Sequence, residues 1–228
     1  MGLQAVTSRI SLVLISGLLL CGTLKAQVKD AGLWTSFSLE AKLTKKASVN
    51  ISEELRFNEN ISELGTAFTE AGISYKLNKN FQISANYRFT QKRRVEDNFN
   101  LKHRGYFDVK YEKKLKPIQF KFRSRFQDEY SEFGTASDAG IAKYYLRNKL
   151  TLEWDLDKAF KPYLSFELFS PLNYPREYFF DNIRATTGVE YSITKNQKID
   201  LYYMIQRELN VSRPETDFIM GIGYSFKL

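Results

Sequence analysis

The chain is poor in the residues that build metal centres and covalent scaffolds. It has one cysteine, Cys21, and one histidine, His103. A disulfide framework needs at least two cysteines, so none forms within the chain. A multi-histidine metal site is excluded by the same count. No Gly-rich phosphate loop is present, so nothing in the sequence calls for a nucleotide or any other cofactor. After residue 26 no apolar run is long enough to form a membrane-spanning helix. Tryptophan is scarce, with 2 residues, whereas there are 14 Tyr and 18 Phe, a balance that suits strands.

What is present begins with an export signal. Met1 to Arg9 carries one positive side chain, and Ile10 to Cys21 is an apolar run of signal-peptide length. Leu24-Lys25-Ala26 supplies a small residue for cleavage before Gln27. Leu20 is too bulky for the position before a lipid-modified cysteine, which argues against lipid attachment at Cys21. The expected organisation is therefore a signal peptide over 1–26 and a single domain over 27–228. Removal of Arg9 and Lys25 lowers the formal net charge from +8 to +6. The mature chain then has no cysteine.

The mature chain alternates. In Ile118 to Gln127 the even positions apart from Ser124 are apolar, and the odd ones are basic or amide. In Tyr144 to Trp154, Leu146, Leu150, Leu152 and Trp154 share one face, while Arg147, Lys149 and Glu153 share the other. Successive side chains of a strand point to opposite faces, so each segment has an apolar wall and a charged wall. The same period recurs from Leu33 to Leu228, which gives about eleven segments. Mean hydropathy is negative, but barrels that cross membranes escape that test because only alternate residues face lipid.

Connections after odd segments are short, and those after even segments are mostly longer. Tyr75, Phe81, Tyr111, Trp154 and Tyr191 fall near the short turns. Phe57, Phe89, Phe126, Tyr144 and Phe218 fall near the long loops. These two sets read as aromatic girdles at the headgroup levels. The expected fold is all-β: a single antiparallel up-and-down transmembrane β-barrel with short periplasmic turns and longer outer loops. Bacterial barrels of this kind have even strand numbers. Twelve strands are therefore expected, with ten as the alternative. The extra strand would lie around Gln27 to Asp30 or within Asn173 to Phe180.

Gly32-Leu33-Trp34, the segment Gly72 to Leu77, the Arg123/Arg125 and Arg147/Lys149 alternations, Phe166-Glu167-Leu168 and Asn182-Ile183-Arg184 resemble the DUF2490 family. These are exported barrel proteins of Gram-negative bacteria. The resemblance implies a location in the outer membrane and a barrel fold, but it supplies no activity and no functional residues. The final alternating strand, ending Phe226-Lys227-Leu228, also resembles the signal read by the barrel assembly machinery.

If the apolar faces meet lipid, the charged face lines a lumen. The candidate lumen-lining residues are Arg88, Arg104, Lys121, Arg123, Arg125, Arg147, Lys149, Glu153, Glu167, Arg184 and Glu190. A basic-biased lining favours anionic solutes. The competing reading is a cross-strand ion-pair network that fills a narrow barrel. His103 is in phase with Leu101 and Phe107, and no nucleophile or orienting partner stands beside it in sequence. A lipid-modifying enzyme, the third reading, would need both. No catalytic residues are therefore expected, and the chain is not read as an enzyme. A soluble periplasmic β-protein is the fourth reading. Expected partners are outer-membrane lipids, lipopolysaccharide near Lys92-Arg93-Arg94, the assembly machinery and small solutes. Nucleic acid is not expected, since the chain is exported and shows no binding motif.

Overall fold

A computed structural model describes residues 29–93, 98–131, 142–156, 159–173 and 179–228. The signal segment 1–26, Arg94, most of the Ser131 to Ala142 loop and much of Asn173 to Phe180 lie outside the described residues. Among the described residues eleven strands follow in order: β1 (Lys29–Lys42), β2 (Ala47–Asn58), β3 (Glu63–Lys76), β4 (Phe81–Arg93), β5 (Phe99–Leu115), β6 (Ile118–Ser131), β7 (Lys143–Trp154), β8 (Phe160–Pro171), β9 (Asn182–Ser192), β10 (Gln197–Glu208) and β11 (Thr216–Lys227). Each pairs with its sequence neighbour, and β1 pairs with β11, so the sheet is a closed barrel. The shortest strand has 11 residues, enough to cross a hydrocarbon core when tilted. Closure gives every strand a partner on both sides, as lipid requires of backbone groups.

The strand count is close to the twelve expected, and its odd parity has a structural consequence. Eleven alternating strands leave the first and last running in the same direction. The closing pair is therefore parallel, from Lys29 opposite Thr216 to Glu40 opposite Lys227. The barrel is thus not antiparallel throughout. A parallel ladder satisfies the same donors and acceptors with evenly spaced, slanted bonds, so closure does not demand an even number. Of the segment Gln27 to Asp30, Gln27 and Val28 lie outside the described residues, and Lys29 and Asp30 open β1.

The apolar side of each ribbon looks outward. Phe122 is 44% exposed and Leu150 45%, while Arg125 and Arg147 on the opposite face are 7% and 6% exposed. Girdle rings meet across neighbouring strands. Phe81 and Tyr111 have centroids 4.9 Å apart, Phe160 and Tyr191 4.6 Å, and Phe126 and Tyr144 6.1 Å.

Three short turns share one device. In Thr44-Lys45-Lys46, Asn78-Lys79-Asn80 and Thr194-Lys195-Asn196 the first side chain accepts a hydrogen bond from a backbone N–H two residues on. Such local bonds hold the chain in a turn instead of extending the ladder. The β2–β3 connection is tighter than its polar sequence suggests. β3 starts at Glu63, and Glu59, Asn60 and Ile61 take φ of 52°, 57° and 69°. The Asp30 carboxylate holds this left-handed run, accepting from Glu59 N at 3.1 Å and Asn60 N at 2.9 Å. The other connections at that end, after β4, β6, β8 and β10, are longer.

Candidate functional site

The lumen is where charge and aromatic rings converge. Arg125 reaches Asp108 with two hydrogen bonds, Nε to Oδ1 at 2.7 Å and a terminal nitrogen to Oδ2 at 2.9 Å. Asp108 is 1% exposed, so this two-point pairing is fully shielded from solvent. Arg88 donates twice to one oxygen of Glu70, at 2.8 and 2.6 Å. Glu167 is a hub. It accepts from Arg123 at 2.5 Å and from Arg147 at 3.0 Å, and Arg184 lies 4.0 Å away. Arg104 and Lys102 both hold Glu129. Nearer the short turns, Lys121 bonds Glu153 at 2.5 Å and Lys198 bonds Glu190 at 2.6 Å.

Inward aromatic rings support the guanidinium groups. Arg56 stacks 3.5 Å from the centroid of Trp34, Arg88 3.7 Å from Phe68, Arg125 3.6 Å from Tyr106 and Arg147 4.2 Å from Phe169. A cation over an aromatic face is attracted by the ring quadrupole, and the ring also fixes the plane of the fork. Each guanidinium thus lies between a carboxylate and a ring. Neighbouring glycines make room for inward tyrosines. A Cβ on Gly188 would lie 2.6 Å from the Tyr163 ring, and one on Gly221 would collide with Tyr202.

These groups divide the lumen. A cavity of about 820 Å³ extends to the long-loop rim, where Lys92, Lys102, Lys143 and Glu208 line it. A smaller cavity of about 190 Å³ lies toward the short turns and is lined by Glu40, Ser48, Ser74, Gln82 and Lys110. The two share Glu70, Tyr106 and Arg125. A layer made of the Arg88–Glu70 pair, the Arg125–Asp108 pair and the Tyr106 ring therefore separates them.

Of the sequence candidates, Arg88, Arg104, Arg123, Arg125, Arg147, Lys149, Glu167 and Arg184 line the large cavity. Lys121, Glu153 and Glu190 lie in ion pairs nearer the short turns. His103 is on the outer wall, 2.6 Å from the Tyr87 hydroxyl and 5.4 Å from the Phe89 centroid. Lys92 lines the cavity rim, and Arg93 pairs with Glu63. Sequence reasoning missed the inward rings Trp34, Phe68, Tyr106 and Phe169, together with Arg56 and Glu70. The signal was present in the paired apolar residues Leu33-Trp34, Ala67-Phe68, Tyr106-Phe107 and Leu168-Phe169, which put bulk on both faces at once.

A family model described as "Protein of unknown function (DUF2490)" matches residues 31–217. The chain belongs to the DUF2490 family. A comparison with curated proteins found no match. Solved structures resemble this DUF2490 barrel in fold. The NanC porin aligns with a TM-score of 0.54 at 14% identity, over 87% of this chain and 98% of that one. The β domain of the Bordetella autotransporter BrkA aligns with a TM-score of 0.51 at 8% identity, over 79% and 82%. A bacterial polysaccharide outer membrane secretin gives 0.52 at 10% identity, over 78% of this chain and 63% of that one. At these identities the likeness is one of fold: this DUF2490 chain has the barrel architecture of outer-membrane proteins.

Proposed function

We propose that this DUF2490 barrel sits in the outer membrane and gives small anionic solutes a passive, non-enzymatic route through its lumen. One observation carries the reading. Around the large cavity eleven Lys and Arg side chains face seven carboxylates. A cavity with that excess attracts anions and disfavours cations, since low-dielectric walls focus the field of the lining charges. The outward apolar wall suits hydrocarbon, and the two aromatic girdles suit the headgroup levels. In this reading lipopolysaccharide meets the long-loop end, and the assembly machinery reads β11 at the closing seam.

Planar-bilayer recording of the folded protein tests the proposal. Under a potassium chloride gradient the reversal potential should show chloride passing more readily than potassium. Absence of conductance from a folded sample would overturn it. The layer between the cavities favours a second reading, a filled barrel without transport. That reading predicts a silent wild type and a conducting variant once the layer is removed. Release of the protein from cells without detergent would contradict the membrane location itself.

A further inference from the structure

The pairing around Glu167 leaves positive charge uncompensated at one place on the cavity wall. Arg123, Lys149 and Glu167 lie side by side across β6, β7 and β8, because Arg123 is in register with Lys149 and Lys149 with Glu167. Glu167 is the carboxylate held by Arg123, Arg147 and Arg184. Three guanidinium groups therefore share one negative charge. Lys149 adds a fourth cation that lines the cavity; its ammonium makes no hydrogen bond or close ion pair among the described residues, and the carboxylates it faces from a distance are Glu167 and Asp200. Arg123 Nε is likewise buried without an acceptor among the described residues. A buried donor left unmatched is costly, and natural structures rarely keep one without a ligand or ordered water to meet it.

We infer that Arg123, Lys149 and Arg184 form an anion-binding subsite in the large cavity, anchored by Glu167, for a small dianionic oxyanion such as a phosphate or a dicarboxylate. The inference rests on the reading that the lumen admits small anions. Guanidinium groups present paired N–H donors that match the oxygens of carboxylate and phosphate alike, while the lysine adds a mobile point charge. Arg147 is occupied, bonded to Glu167 and to Gln127 at 3.2 Å, so it holds the anchor in place. Arg184 donates Nε to Gln206 at 2.6 Å and stands 4.0 Å from Glu167, which leaves its terminal nitrogens for a ligand. With Arg123, Arg147, Arg184 and Lys149 set against Glu167 and Asp200 the net charge is two, which a dianion would balance and a monovalent halide would not.

Titration calorimetry of the folded, detergent-solubilised protein with inorganic phosphate and, separately, succinate tests the site. Saturable binding of at least one is expected, weakened by added sodium chloride. Lys149→Gln should reduce affinity about tenfold, the loss of one charge-assisted hydrogen bond. Because Lys149 holds no other residue, its fold should survive, which the unchanged heat-modifiable mobility of the barrel would verify. Lys79→Gln, at an exposed turn, should bind like the parent. Lack of binding by both anions, or equal affinity of parent and Lys149→Gln, would overturn the site. Liposome flux separates the two claims: binding without flux removes the passive route and keeps the subsite, and anion flux without saturable binding does the reverse.

Discussion

Two chambers of the lumen, the cavities of about 820 and 190 Å³, differ in size, sign and packing. The one toward the long loops is roughly four times larger, and its cations outnumber its carboxylates. The one toward the short turns has two cations, Lys110 and Arg125, against the three carboxylates Glu40, Glu70 and Asp108. The contrast lies in where charges are matched. Around the dividing layer each arginine has its own carboxylate and its own ring. Around Glu167 three arginines crowd one carboxylate. Matched charge closes space, because a bidentate pair on an aromatic shelf is a rigid plug. Unmatched charge cannot collapse on itself and keeps space open.

The sharpest way to break the comparison is to unmatch the layer. Asp108→Ala removes the partner of a shielded guanidinium and leaves Arg125 uncompensated. Removing one member of a buried pair typically costs about 3–5 kcal/mol. Urea unfolding of the barrel in lipid vesicles should show a loss of that order. Adding Arg125→Ala should recover most of it, because no charge is then stranded. The double variant should also join the chambers and raise single-channel conductance above the parent. Equal stability of the single and double variants would show that the pair does not hold the layer.

On the other side of the comparison, Glu167→Gln removes the one negative charge among Arg123, Arg147 and Arg184. The three guanidinium groups then repel without a counterion, at a cost of about 2–3 kcal/mol by the same unfolding measurement. Selectivity should move in the opposite sense to stability, since the cavity gains a net positive charge. The chloride preference in a salt gradient should rise. A smaller effect is expected at the shelf. Phe169→Leu keeps the apolar bulk but removes the ring face under Arg147 and Arg184. Its cost should be about 1 kcal/mol, with the chloride preference unchanged.

How far the sequence disclosed this arrangement depends on the side of the wall. Phe120, Phe122, Leu150 and Leu152 could be placed outward by period alone, because lipid rewards every apolar residue and asks nothing of its neighbours. The inner face follows no such rule. The period places Arg125 inside but does not say that it binds Asp108 on β5 rather than Glu167 on β8, since either lies within reach of a long side chain. Cross-strand register decides, with Asp108 directly opposite Arg125. Register depends on turn lengths and bulges, such as the irregularity at Arg56/Phe57, that no single strand reveals. The inward rings escaped for a related reason. Trp34 and Phe68 read as lapses in alternation until the guanidinium groups above them are seen. Strand number was the least legible quantity. Eleven segments are visible in the sequence, and only the generalisation that such barrels have even strand numbers argued against accepting that count.

The smallest effect is expected where matching occurs in the open. Lys227 and Glu40 form an ion pair at 2.9 Å across the parallel seam, with side chains 44% and 34% exposed. The geometry resembles that of the buried pairs, yet solvent screens the attraction and two long side chains must be ordered to keep it. Glu40→Gln should therefore cost less than about 1 kcal/mol, and the loss should shrink further in high salt. The seam has its own support. β1 and β11 pair over twelve positions, and Leu228 N donates to Glu40 O at 2.8 Å, a bond that the side-chain substitution leaves intact. Unfolding midpoints of parent and variant at low and high salt would check this. A loss as large as that of Asp108→Ala would mean that the seam depends on its ion pair rather than its ladder, and that burial is not what separates the strong pairs of this barrel from the weak ones.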